Sequence, residues 1–298
     1  MARVHTSGHS RITKRHQISP LQMKGTLIVN TSTVRRRRQN TRTIGVLLAV
    51  VLVLSMSACG INGTPQGALG QAQQILASCP KGTKVASKVD IDVSGSSRTA
   101  TLQPERSNAI GDMARQTAIC GGHLQVTAFS ASSAATVVLY DGELNLPGAT
   151  DNARLQRVPD LVKTVMATVT QAYGTKIQLL SPGGSDIVGQ YRLAAEYLHQ
   201  LGGGYVLHLL LATDGFQTAG ISLGDAPLTT AAATALAANI DVPKLPGASI
   251  TVAGIGKVAS QPPSSTVVDG VVAFYDALCK KTEAVSCLSV TDYTSSGQ

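Results

Sequence analysis

Tryptophan is absent, and with three phenylalanines and seven tyrosines the aromatics make up 3% of the 298 residues. Tight protein interfaces are commonly anchored by Trp, Tyr and Arg in desolvated pockets. A chain this poor in aromatics is therefore expected to bind weakly or through avidity. No two cysteines stand as Cys-x-x-Cys, and His123, His199 and His208 are scattered, which excludes the ligand spacing of a structural zinc site. A Gly-rich phosphate loop is missing, no Ser, His and Asp series points to a nucleophilic triad, and no Gly-x-Ser-x-Gly elbow is expected to lead from a strand into a helix. Those absences argue against phosphate-loop enzymes and acyl-transfer hydrolases.

Acidic residues are missing altogether from the first 58 positions, which hold ten Lys and Arg. What remains carries fifteen basic against seventeen acidic residues, so the formal +8 belongs to a leader. Nucleic-acid binding, which a basic balance spread along the chain would suggest, loses its basis. Nor is any apolar run long enough to cross a bilayer. Arg35 to Arg38, a polar spacer, the apolar stretch Ile44 to Leu54 and then Ser57-Ala58-Cys59 read as an export signal. Small residues directly before a cysteine resemble the lipobox of bacterial lipoproteins, with residues 1–58 removed and Cys59 lipidated. An ordinary signal peptide cleaved nearby is the alternative. The lipoprotein reading places the protein on the cell membrane, facing outside the cytoplasm, with Cys59 and residues 60–78 as tether and 79–298 as one domain.

Five cysteines become an even set of four once Cys59 is set aside, as suits an oxidising exterior. Cys79, Cys120, Cys279 and Cys287 allow three pairings, and sequence does not choose among them. The preferred set joins Cys79 to Cys120 and Cys279 to Cys287, since each pair flanks a neighbouring strand or helix.

Along the domain, strand and helix patterns alternate. Apolar Val89, Ile91 and Val93 alternate with polar neighbours; helices are expected over Glu105 to Ile119, Asn152 to Tyr173 (regular only from Pro159), the stretch after Asp186, Thr229 to Asn239 and Ser264 to Lys281. Strands are expected at His123 to Phe129, Thr136 to Tyr140, Tyr205 to Ala212, Ala248 to Ile255 and Val285 to Val290. A further helix is expected over Leu69 to Ser78. This order predicts a doubly wound α/β fold with a mostly parallel sheet and helices on both faces.

The chemistry concentrates where strands end. Asp92, Ser94 and Ser96 stand at spacing two in a small-residue loop after the first strand; Gly183-Gly184-Ser185-Asp186 opens a helix; Tyr205 to Ala212 runs into Thr213-Asp214-Gly215. In an open parallel sheet such loops gather at one edge. One or two carboxylates with neutral oxygens suit a hard cation such as Mg²⁺. Asp-x-Ser-x-Ser, a hydroxyl on a second loop and an Asp on a third resemble the metal-ion-dependent adhesion site of von Willebrand factor type A domains, over about Val85 to Asp292. Ser185 stands where that family usually has Thr. The resemblance implies Mg²⁺ or Mn²⁺ held by Asp92, Ser94, Ser96, Ser185 and Asp214, the serines touching the ion directly. A protein partner would then supply a carboxylate to the open position, and no catalysis is implied. Asp90-x-Asp92 also resembles the acid pair of haloacid dehalogenase-type phosphatases, but the downstream acids are not clustered at a strand end. A metal-free scaffold of an envelope complex is the main alternative.

Overall fold

The computed structural model describes residues 67–293. The export signal over 1–58, the lipidation of Cys59 and the tether over 60–66 lie outside the described residues. Parallel strands β1 (Lys84–Asp92), β2 (Gly122–Phe129), β4 (Tyr205–Ala212), β5 (Ser249–Ala253) and β6 (Ser286–Val290) form one sheet with β3 (Val137–Glu143). The order is β3-β2-β1-β4-β5-β6, and β3 alone runs antiparallel, hydrogen-bonded to β2 at one edge. Strand order reverses between β1 and β4, the point at which α/β sheets open a crevice.

Helices cover both faces, as expected for a doubly wound fold. On one side α1 (Gly67–Ser78), α2 (Pro104–Cys120), α3 (Asp151–Leu155) and α4 (Val158–Lys176) pack on Val89, Ile91, Val126 and Leu210. On the other, α5 (Ile187–Leu201), α6 (Thr230–Ala238) and α7 (Ser265–Lys281) pack on Leu209, Leu211, Ile250 and Val252. The near-continuous apolar run of β4 is explained by this: Leu210 enters one core while its neighbours enter the other. Pro159 sits in the first turn of α4, where its missing N–H costs nothing, and the helix pattern breaks at Gln156 and Arg157 just before it.

The polar face of β1 is not solvated. Lys88 is 2% exposed; its Nζ donates to Asp90 Oδ1 at 2.7 Å and to Gln125 Oε1 at 3.1 Å. Thr127 donates its hydroxyl to the same Asp90 oxygen. Tyr197 of α5 lies over the pair, its ring 5.9 Å from Lys88 Nζ. The buried stripe of α5 accordingly runs through Ile187, Tyr191, Ala194 and Tyr197, while Leu198 and Leu201 are only partly buried.

The helix at the amino-terminal end belongs to the folded body. The sequence reading put residues 67–78 in a tether, with a helix from Leu69. They form α1, with Ala72 buried and Leu69, Ile75 and Leu76 against the core. A disulfide from Cys79 to Cys120, Cα atoms 5.3 Å apart, joins the end of α1 to the end of α2. A second, Cys279 to Cys287 with Cα atoms 5.8 Å apart, joins α7 to β6.

Candidate metal centre

Asp92 is the last residue of β1, Asp214 lies two beyond the end of β4, and Ser185 precedes α5. The three loops meet at the carboxyl edge of the central strands. Ser185 Oγ donates to Asp92 Oδ2 at 2.7 Å, and the backbone N–H of Ser94 donates to Asp92 Oδ1 at 2.8 Å. Ser94 Oγ and Ser96 Oγ are 3.5 Å apart. Asp92, Ser94, Ser96 and Ser185 are thus linked in one cluster, which Asp214 joins through its N–H, donated to Ser97 Oγ at 3.4 Å.

The charges in it are unbalanced. Asp92 and Asp214 are both 0% exposed, and among the described residues neither carboxylate is in an ion pair. Asp214 Oδ1 accepts the Phe216 N–H at 3.0 Å, while Oδ2 is buried with no hydrogen-bond partner. Burial first, and then the nearby charge of Asp92, raise the Asp214 carboxyl above its ordinary range; hydrogen bonds from Ser96, the Phe216 N–H and Ser97 oppose the rise. A buried carboxylate oxygen without a partner costs about 1–3 kcal/mol or more. Two adjacent carboxylates ringed by serine hydroxyls fit a hard cation. Asp92, Ser94, Ser96, Ser185 and Asp214 are the residues that would hold it. No cluster of three or more His, Cys, Asp or Glu occurs among the described residues, so softer, carboxylate-rich or imidazole sites are not offered here.

Ser185 is free for this role because another residue caps the helix. Asp186 Oδ1 accepts the Gly189 N–H at 3.0 Å, and its Oδ2 accepts the Ser133 N–H at 2.9 Å. Gln217 Oε1 takes the N–H groups of Ile187 and Val188 at 2.7 and 3.0 Å. Four donors at the start of α5 would otherwise lack partners. The Ser185 backbone is held in turn by the loop after β4, where Thr218 Oγ1 accepts its N–H at 2.8 Å.

Residues not picked out from sequence complete the site. Thr213 Oγ1 donates to Asp92 Oδ2 at 2.6 Å and accepts the Gly215 N–H at 3.0 Å. A threonine hydroxyl thus reaches the metal-site carboxylate from the third loop; its place directly before Asp214 at a strand end was the available signal. Ser97 Oγ accepts the Asp214 N–H at 3.4 Å. The pentapeptide Gly220 to Gly224 does have Gly-x-Ser-x-Gly spacing, a stretch the sequence reading did not single out. It lies in the loop between β4 and α6, not in a strand-to-helix turn, and Ser222 donates to Asp225.

A cleft of about 600 Å³ opens beside Ser185, lined by Asp186, Arg192, Gln217, Ile221, Asp241 and Val242 among others. Gln217, Ile221, Asp241 and Val242 come from the chain between β4 and β5. His208 is half-buried in β4, and burial lowers its pKa. No family model matches the chain, and no curated protein matches it.

Proposed function

We propose that the chain is a metal-dependent protein-binding module of the von Willebrand factor type A kind, carried on the outer side of a membrane by lipid at Cys59. The observation that carries this reading is the pair of fully buried carboxylates, Asp92 and Asp214, with no cationic partner among the described residues and with one oxygen unbonded. A divalent cation there neutralises both. Bound among few protein charges and three hydroxyls, Mg²⁺ or Mn²⁺ offers an electrophilic position to a carboxylate on a partner protein.

This chain's own residues do the rest. Ser185 and Thr213 orient Asp92, Ser97 and the Phe216 N–H hold Asp214, and Arg192 and Asp186 give the adjoining cleft a charged rim. The metal-free scaffold reading has one observation in its favour: the Asp92 carboxylate already accepts three hydrogen bonds. Asp214 Oδ2, by contrast, is buried without a hydrogen-bond partner, and that favours the metal.

Capture of partners from an envelope extract with immobilised protein tests the function. Bands retained in Mg²⁺, released by EDTA and absent with Asp92→Ala are the expected result. Identical capture in all three arms refutes metal-dependent binding. For the anchor, Cys59→Ala is expected to leave the membrane fraction, and unchanged partitioning of that variant refutes lipidation.

A further inference from the structure

Arg106 is 1% exposed and forms no ion pair among the described residues, an unusual position for a guanidinium. Its Nη1 donates to two backbone carbonyls, Asp92 O at 3.1 Å and Ser97 O at 3.0 Å. These two carbonyls bracket the whole Asp-x-Ser-x-Ser segment. On the other side, Nε donates to Tyr293 Oη at 2.9 Å, and the guanidinium carbon is 5.1 Å from the centre of the Tyr293 ring. Arg106 is therefore a rivet between the loop that carries three of the five proposed ligands and a residue close to the carboxyl end of the chain.

Three more observations show that this contact is built. Gly254, at φ +94°, ends β5 against Tyr293, and a Cβ there would come within 2.2 Å of the ring, so only glycine leaves room. The N–H groups of Gly254 and Ile255 both donate to Val290 O at 3.1 Å, which fixes the chain just ahead of Tyr293. Lys257 Nζ also lies over the ring, 5.4 Å from its centre, while pairing with Glu105 at 2.8 Å and Asp292 at 3.4 Å. From this same β5–α7 loop, the Ala259 N–H donates to Ser96 O at 2.7 Å and the Gly256 N–H to Asp214 O at 2.9 Å. The carboxyl-terminal turn and the ligand loops share one framework.

Resting on the metal reading above, we propose that Arg106 and Tyr293 are positioning residues for the metal site, coupling the carboxyl-terminal end of the domain to cation affinity. The planar fork of arginine sets the curvature of the loop from Asp92 to Ser97, and hence the mutual placement of the Asp92, Ser94 and Ser96 oxygens. Lysine carries the same charge but cannot span both carbonyls and the tyrosine oxygen. The cation needs those oxygens in a fixed arrangement, whereas the metal-free loop can relax. Loosening the rivet therefore weakens binding beyond any effect on the fold. Linkage makes the coupling reciprocal: bound cation must tighten the segment ending at Tyr293.

The test is Mn²⁺ titration of the full-length protein, read by the electron spin resonance of free Mn²⁺, for wild type, Arg106→Lys, Tyr293→Phe and a control, Tyr205→Phe. Tyr205 bonds Glu143 with its hydroxyl at 2.7 Å and starts β4, at the end of that strand opposite the ligand loops. A hydrogen bond to a charged group contributes about 1.5–3 kcal/mol, so Arg106→Lys is expected to weaken Mn²⁺ binding about tenfold or more. For Tyr293→Phe, which keeps the ring, the expected loss is roughly threefold, and the control stays at wild type. Hydrogen exchange over 288–293 is expected to slow on adding Mn²⁺ to wild type and to ignore Mn²⁺ in Arg106→Lys. Should that variant not fold, Tyr293→Phe decides alone. Wild-type affinity in both Arg106→Lys and Tyr293→Phe, or exchange over 288–293 indifferent to Mn²⁺ in a wild type that binds it, overturns the inference. A wild type that binds no Mn²⁺ overturns the metal reading itself and this inference with it.

Discussion

Asp214→Asn changes stability in opposite directions with and without metal. The substitution is nearly isosteric and keeps an oxygen for the Phe216 N–H, but it removes a buried charge that faces Asp92 and has no cationic partner. In EDTA the variant is therefore more stable than wild type, by about 1 kcal/mol or more, since the cost of an uncompensated buried group is relieved. For a domain of this size that is a rise of at least roughly 2–4 °C in melting temperature. At a hundredfold excess over Kd, a ligand bound only by the native state adds about 2.7 kcal/mol. Wild type should thus gain roughly 5–11 °C in millimolar Mg²⁺, and Asp214→Asn should gain little. Thermal denaturation followed by circular dichroism, in EDTA, Mg²⁺ and Mn²⁺, reads both shifts. A wild-type midpoint that ignores both cations, or an Asn variant that keeps the full metal increment, refutes the reasoning. So does a variant less stable than wild type in EDTA, because the carboxylate would then be compensated.

The same residue sets a pH dependence. Burial, and then the charge of Asp92, hold its carboxyl above the ordinary carboxylate range in the fold, so the native state keeps a proton that the unfolded chain has released, and its contribution falls as pH rises from the ordinary range through the raised one. In EDTA, the stability difference between wild type and Asp214→Asn, measured by urea unfolding from pH 4 to 8, should widen against wild type over that window and then level off; a constant difference contradicts the assignment. Lys88→Met leaves Asp90 buried without its cation and should cost about 3–5 kcal/mol, with most of the loss recovered on adding Asp90→Asn; equal stabilities of single and double variants would show that the pair does not interact. Replacing Cys79 and Cys120 by Ala opens a 41-residue separation and should cost about 4 kcal/mol in the chain-entropy model, against about 2.5 kcal/mol for the 8-residue separation of Cys279 and Cys287. Urea midpoints rank the two, and the reverse order would contradict that model here.

The alternation of strand and helix signals made the sheet legible, because apolar runs such as Tyr205 to Ala212 have no other use than burial on both faces. The site was legible for a related reason: carboxylates and hydroxyls at three strand or helix ends converge once the sheet is parallel. What stayed hidden depends on contacts far apart in sequence. Lys88 and Asp90 look like the solvated side of a strand until Tyr197, more than a hundred positions on, covers them. Ser185 and Asp186 both stand just ahead of a helix, and only the Gly189 and Ser133 N–H groups assign the cap to Asp186. Arg106 carried no motif at all, since its meaning lies in the carbonyls of Asp92 and Ser97 and in Tyr293. The tether was read too long because a short helix of modest periodicity gives no sign that a disulfide will hold it against its neighbour.

The bridge between Cys79 and Cys120 also decides where mechanical tension can travel. A pull on the amino-terminal end peels at most α1 before it reaches Cys79, and there the force divides, passing through sulfur to Cys120 and onward into β2. The chain between the two cysteines, which includes all of β1 and the loop with Asp92, Ser94 and Ser96, is short-circuited. Extracting β1 would require breaking a covalent bond. On the proposed function, traction between an anchored end and a captured partner would bypass β1, leaving the loop with Asp92, Ser94 and Ser96 threaded through the centre of the sheet.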